Sequence, residues 1–154
     1  MIDYVQLVPN GKYVASNLES VHYSGAEASL QLRWPHDQQT GLSYTVVHGA
    51  QDALHGLQSR YAFNYPTHRA VVSWIGELPG KIQARSQLGV VQRFERDSYA
   101  LWDLAVSREF AGRVRANLQF SNITGTRYEE IQNVAMPGQS LIFGLDFVLW
   151  RHTR

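Results

Sequence analysis

From Arg113 to Asn122 the chain alternates without a break, Val114, Ala116, Leu118 and Phe120 on one parity and Arg113, Arg115, Asn117, Gln119 and Ser121 on the other. A period of two belongs to a β-strand, whose successive side chains leave opposite faces. Such a run has two unlike faces and must separate two unlike surroundings. The pattern recurs along the chain. Leu141, Phe143, Leu145, Phe147 and Leu149 alternate with Ser140, Gly144 and Asp146, and Ile82, Ala84, Ser86, Leu88 and Val90 with Gln83, Arg85, Gln87 and Gly89. Ala28, Leu30, Leu32 and Trp34 oppose Glu27, Ser29, Gln31 and Arg33, and Ala100, Trp102, Leu104, Val106 and Phe110 oppose Tyr99, Leu101, Asp103, Ala105, Ser107 and Glu109.

Composition agrees with fine interleaving. The chain has 44% hydrophobic and 18% charged residues, yet its mean hydropathy is −0.28, so apolar and polar residues are mixed rather than segregated. With 14 basic against 13 acidic residues and a net charge of +1, no long-range field favours nucleic acid. The absence of cysteine removes a disulfide scaffold, a thiolate metal site and a cysteine nucleophile. Met1-Ile2-Asp3-Tyr4 has neither the basic nor the apolar region of a signal peptide. Nowhere do about 18 apolar residues run together, as a transmembrane helix requires. A membrane would have to be crossed by strands.

The alternation predicts an all-β, antiparallel up-and-down meander of about eight strands. These run near 2 to 8, 13 to 33, 42 to 52, 69 to 78, 81 to 93, 98 to 110, 113 to 122 and 140 to 150. Tight connections (Leu78-Pro79-Gly80, Phe110-Ala111-Gly112, and Pro35 to Thr40) take turns with longer ones (Ala53 to His68, Gln92 to Asp97, Ile123 to Gln139). That is the rhythm of a barrel wall with hairpins at one rim and long loops at the other. Runs near ten residues suit a tilted strand crossing the hydrocarbon layer, whereas soluble strands cluster at about five or six. Tyr4, Trp34, Tyr44, Trp74, Tyr99 and Trp150 gather near strand ends, where amphipathic rings favour a membrane interface. Alternation alone does not say which face is inside, and a soluble barrel or sandwich with an aromatic core shares it.

Three stretches resemble the C-terminal part of TonB-dependent outer-membrane receptors. They are Asn17 to Glu27, with its Gly25-Ala26-Glu27; Tyr61 to Arg69, with Pro66 and a basic pair; and Ser121-Asn122-Ile123-Thr124-Gly125-Thr126-Arg127-Tyr128-Glu129-Glu130 followed by Met136-Pro137-Gly138-Gln139-Ser140 and a last strand. Gly125 stands where the family usually has an acidic or amide residue, Gln139 where Arg is common, and Arg151 to Arg154 extends past the aromatic end. The resemblance implies a membrane β-barrel in the bacterial outer membrane, with residues 1–154 as about the last third of a larger barrel, a partial wall without plug domain or TonB box. It implies a receptor that takes up metal chelates, siderophore or cobalamin-like. Leu145, Phe147, Leu149 and Trp150 would then carry the signal read by the barrel-assembly machinery. Outer-membrane lipid, a metal-chelate ligand and, through the absent N-terminal part alone, the TonB complex would be its partners.

If the apolar parity faces lipid, Glu27, Gln83, Arg85, Arg113, Arg115, Asn117 and Gln119 must face an aqueous lumen, because charge at the lipid midplane costs about 2–4 kcal/mol. Arg60, Tyr61, Tyr65, Arg127 and Tyr128 in the long loops suit a bulky anionic or aromatic ligand, and equally suit the roles of interface anchors and turn formers. No constellation of an enzyme stands out. The six histidines have no metal-ligand spacing, adjacent Glu129 and Glu130 suit loop solvation better than a paired acid and base, and Ser24 and Ser73 lack a nucleophile elbow. Gly80-Lys81 is not a phosphate loop, and Asn122-Ile123-Thr124 is a sequon short enough to arise by chance. No cofactor is expected. The rival expectation is a self-contained eight-stranded barrel, either a small outer-membrane protein or a soluble ligand carrier.

Overall fold

The computed structural model describes residues 2–6, 13–17, 22–49, 58–59, 65–131 and 134–147. Among the described residues twelve strands form: β1 (Ile2–Gln6), β2 (Tyr13–Asn17), β3 (Tyr23–Trp34), β4 (Gln38–Gly49), β5 (Gln58–Ser59), β6 (Pro66–Leu78), β7 (Ile82–Arg93), β8 (Tyr99–Phe110), β9 (Val114–Ser121), β10 (Glu129–Ile131), β11 (Val134–Ala135) and β12 (Ser140–Phe147). Seven of them build one antiparallel sheet in the order β12-β9-β8-β7-β6-β4-β3. This is the expected meander, because the long strands lie beside their sequence neighbours. Among the described residues β3 and β12 do not pair with each other, so the sheet is open.

Two differences concern the N-terminal part. The run expected over 13 to 33 divides, since Tyr13–Asn17 pairs with β1 while Tyr23–Trp34 pairs with β4. The strand expected near 2 to 8 lies with β2 and β5 in a separate three-stranded sheet. Residues 148 to 150 of the expected last strand lie outside the described residues.

The strands are long because nothing in them stops pairing. β3, β4, β7 and β8 each run 12 residues and β6 runs 13. At about 3.3 Å per residue such a strand reaches roughly 40 Å, and tilted near 45° it rises close to the 30 Å of a bilayer's hydrocarbon core.

Three hairpins sit at one end of the sheet, each with two consecutive positive φ angles: His36 and Asp37, Gly80 and Lys81, Ala111 and Gly112. This is the mark of the type I′ turn, whose twist matches that of paired strands. In the third, Arg113 N–H donates to Phe110 O at 3.1 Å, closing the turn. Ala111 at φ 49° carries a side chain in a region that costs an L-residue about 1–2 kcal/mol. Ala111→Gly is expected to raise stability by about 0.5–1 kcal/mol after the entropy of a new glycine is subtracted, seen as a higher denaturant midpoint at unchanged slope.

Register turns the sequence parities into two continuous faces. One row runs Leu30, Leu42, Val72, Leu88, Trp102 across five strands; others run Leu104, Phe120, Leu141 and Val106, Leu118, Phe143. No described element lies over this apolar face, since the substantial contacts between elements are between paired strands. The hydrophobic core among the described residues amounts to Ala84. Leu30 is 52% exposed, Val72 47%, Phe143 63% and Phe147 62%, values that belong to a surface.

The indole N–H groups of the apolar face find acceptors on it. Trp34 Nε1 donates to Thr40 Oγ1 at 3.1 Å, Trp102 Nε1 to Ser86 Oγ at 2.9 Å, and Trp74 Nε1 to Gln38 Oε1 at 3.4 Å. Tyr44 Oη lies 2.7 Å from His68 Nδ1. Ser86, a polar residue on the mainly apolar parity of β7, is thereby an acceptor for an indole.

Candidate functional site

The opposite face gathers the polar residues. Glu27, Gln83, Arg85, Arg115, Asn117 and Gln119 all fall on the parity that register places there: Arg85 opposite Ala105, and Ala105 opposite Gln119; Gln83 opposite Ser107, and Ser107 opposite Asn117. Arg113 lies in the β8–β9 turn. Arg115 pairs with Glu109 at 3.7 Å, both side chains well solvated, so the pair contributes about 0–1 kcal/mol. Asn117 Nδ2 donates to Asp146 Oδ2 at 3.2 Å. Gly144 makes this possible, because a Cβ there would stand 2.5 Å from Asn117 Oδ1. Arg85, Gln87, Asp103 and Gln119 line a shallow depression of about 300 Å³.

The second polar region is the rim opposite the hairpins. It is built on the turn that leaves β9. Asn122, 5% exposed and at φ 51°, donates its backbone N–H to Asp103 Oδ1 at 2.8 Å and its side-chain Nδ2 to Thr126 O at 2.9 Å. Its Oδ1 accepts from Thr126 N at 3.1 Å and Thr124 Oγ1 at 2.9 Å. Thr126 Oγ1 donates to Ala100 O at 2.7 Å, and Gln139 Nε2 to Ile123 O at 2.8 Å. A polar network this complete holds one backbone path, and that path delivers Arg127 to Ile131 to the rim.

There Tyr128 stacks on Tyr99 at 4.9 Å. Glu130 pairs with Arg93 at 3.6 Å and Glu129 with Arg96 at 3.8 Å. The two acidic neighbours therefore turn to different arginines, which agrees with their opposite directions on an extended chain. Tyr65 belongs to another cluster: it meets Tyr23 edge-on at 5.2 Å, stacks on Phe94 at 5.8 Å, and its hydroxyl accepts from Gly49 N–H at 2.7 Å. Of the five loop candidates, Tyr65 and Tyr128 are thus packed into the rim, Arg127 is exposed, and Arg60 and Tyr61 lie outside the described residues. Arg127 and Tyr128 share a groove of about 460 Å³ with Arg96, Asp97, Tyr99 and Glu129. Sequence reasoning passed over Arg93, Arg96, Tyr99 and Asp103 as site residues, because their partners lie 19 to 37 residues away and only register brings them close.

Burial raises the Tyr128 phenol above the ordinary 10.0, helped by Glu130, Tyr99 and Asp103 and opposed by Arg93. A raised value means that the stabilisation is complete below the unfolded value and is lost as pH rises through the folded one. Titration at 295 nm, wild type minus Tyr128→Phe, is expected to show a phenol ionising above pH 10.0, with rim packing weakening over the same range.

Among the described residues no group of three His, Cys, Asp or Glu is placed to hold a metal ion. The groove presents the Arg96 and Arg127 side chains beside the stacked phenols of Tyr99 and Tyr128. Compared with known proteins, the chain matches no family model and no curated protein.

Proposed function

We propose that this chain forms part of the wall of an outer-membrane β-barrel, the C-terminal segment of a TonB-dependent receptor for metal chelates. The observation that carries the membrane reading is the uncovered apolar face. Rows of Leu, Val, Phe and Trp continue across seven strands, and the indole N–H groups of Trp34, Trp74 and Trp102 find acceptors on the same face, as a hydrocarbon solvent favours. Strand length and the division into a hairpin rim and a long-loop rim support it too.

The family reading draws on the β9 turn. Gly125 is at φ 64°, in the left-handed region that Gly, Asn and Asp tolerate best, so glycine there keeps the backbone that an acidic or amide residue would adopt. Gln139 caps Ile123 O, a donor role that Arg can also fill. In this reading the polar face looks into the lumen, the Arg127–Tyr128 groove offers contacts to a chelate, and Leu145 and Phe147, with Leu149 and Trp150 outside the described residues, carry the assembly signal. The chain contributes wall and rim, while the TonB complex engages a part N-terminal to it.

The reading is tested on the gene. The reading frame upstream of the Met1 codon is expected to encode further ten-residue alternating strands, a plug domain and a TonB box. An unrelated gene there would count decisively against a receptor.

A further inference from the structure

The apolar face contains one conspicuous exception. Among the described residues of the seven strands, Arg108 is the single Arg, Lys, Asp or Glu in the apolar register, in the row Ile82, Arg108, Ala116, Leu145. It is exposed, its guanidinium lies 5.1 Å from the Phe110 ring centroid, and among the described residues no carboxylate pairs with it. Its neighbour Glu109 points to the other face and pairs with Arg115. Two residues further on the strand enters the β8–β9 hairpin, so the charge stands at the hairpin rim of the apolar band, where the cost of a cation falls to about 0–1 kcal/mol.

Beside Arg108 the surface is hollow. Ala116 is small, and around it Ile82, Val106, Phe110, Leu118 and Phe143 rise to enclose, with Arg108, a groove of about 370 Å³ lined almost wholly by carbon. An apolar groove with one free cation at its interfacial end matches an amphiphile whose tail is hydrocarbon and whose head is an anion. We propose that this groove is a site for an anionic phospholipid, with an acyl chain laid along Ala116 and Leu118 and the phosphate held by Arg108. The inference rests on the apolar face being in contact with lipid.

The test uses the full chain in phosphatidylcholine vesicles and compares spin-labelled phosphatidylglycerol with spin-labelled phosphatidylcholine by the fraction of label immobilised at the protein. Phosphatidylglycerol is expected to be favoured about fivefold, the usual contribution of one interfacial basic residue. Arg108→Gln is expected to abolish the preference, whereas Arg108→Lys and Arg115→Gln keep it. Equal association of the two lipids with wild-type protein, or an undiminished preference in Arg108→Gln, overturns the proposal. Quenching of Trp102 by brominated phosphatidylcholine in the same vesicles separates the two levels. Quenching without lipid preference removes the site and leaves the wall; no quenching removes the lipid-facing reading itself.

Discussion

Leu88→Arg is expected to weaken association of the chain with lipid vesicles about thirtyfold or more. Leu88 is 42% exposed and stands midway along β7 in the row with Leu30, Leu42, Val72 and Trp102. An arginine at the midplane of a lipid-facing strand costs about 2–4 kcal/mol, and each 1.4 kcal/mol is about tenfold. The neighbouring change Gln87→Arg places the same charge on the polar face opposite Asp103, where solvation keeps the effect within about 0.5 kcal/mol. In detergent-free buffer the sign reverses, because Leu88→Arg interrupts an exposed apolar patch and reduces aggregation. Flotation with vesicles and light scattering without them read the two outcomes. A buried core would give the opposite result in buffer, since a charge there unfolds the protein.

The second large effect is expected at Asn122. Asn122→Ala removes the bonds to Thr126 O, Thr126 N and Thr124 Oγ1, each contributing about 1 kcal/mol. It also leaves an alanine at φ 51°, at about 1 kcal/mol more. The sum is a loss of about 3–4 kcal/mol in urea unfolding of the detergent-folded chain. Asn122→Gly relieves the backbone part and is expected to lose about 1 kcal/mol less. Because this turn delivers Tyr128 to Tyr99, the Asn122→Ala protein should also lose the delayed phenol ionisation; an unchanged titration would mean that the rim does not depend on the turn.

The two faces were legible in the sequence because side chains alternate with period two, and antiparallel pairing carries a parity from strand to strand unchanged. Gln83, Arg85, Arg115, Asn117 and Gln119 were therefore assigned to one surface without knowledge of register. The hairpins were legible through Pro and Gly, although the left-handed His36, Lys81 and Ala111 carry no such mark. The rim was not legible in the same way. Tyr65 and Tyr128 read as loop candidates for ligand contact, yet rings about 30 residues away stack on them once their strands are aligned. The split between β2 and β3 was hidden because pairing partners, and not local alternation, decide which sheet a strand joins. Arg108 interrupts the apolar parity of β8, and register alone sets it beside Ala116.

The central claim is that the apolar register faces lipid and the polar register water. The chain has no cysteine, so Leu88→Cys and Gln87→Cys give adjacent single-label sites on opposite faces. With an environment-sensitive fluorophore at each and brominated phospholipid in the vesicles, the account predicts a blue-shifted, strongly quenched label at position 88 and an aqueous, unquenched one at 87. Equal quenching at both positions, or quenching at 87 alone, would contradict it.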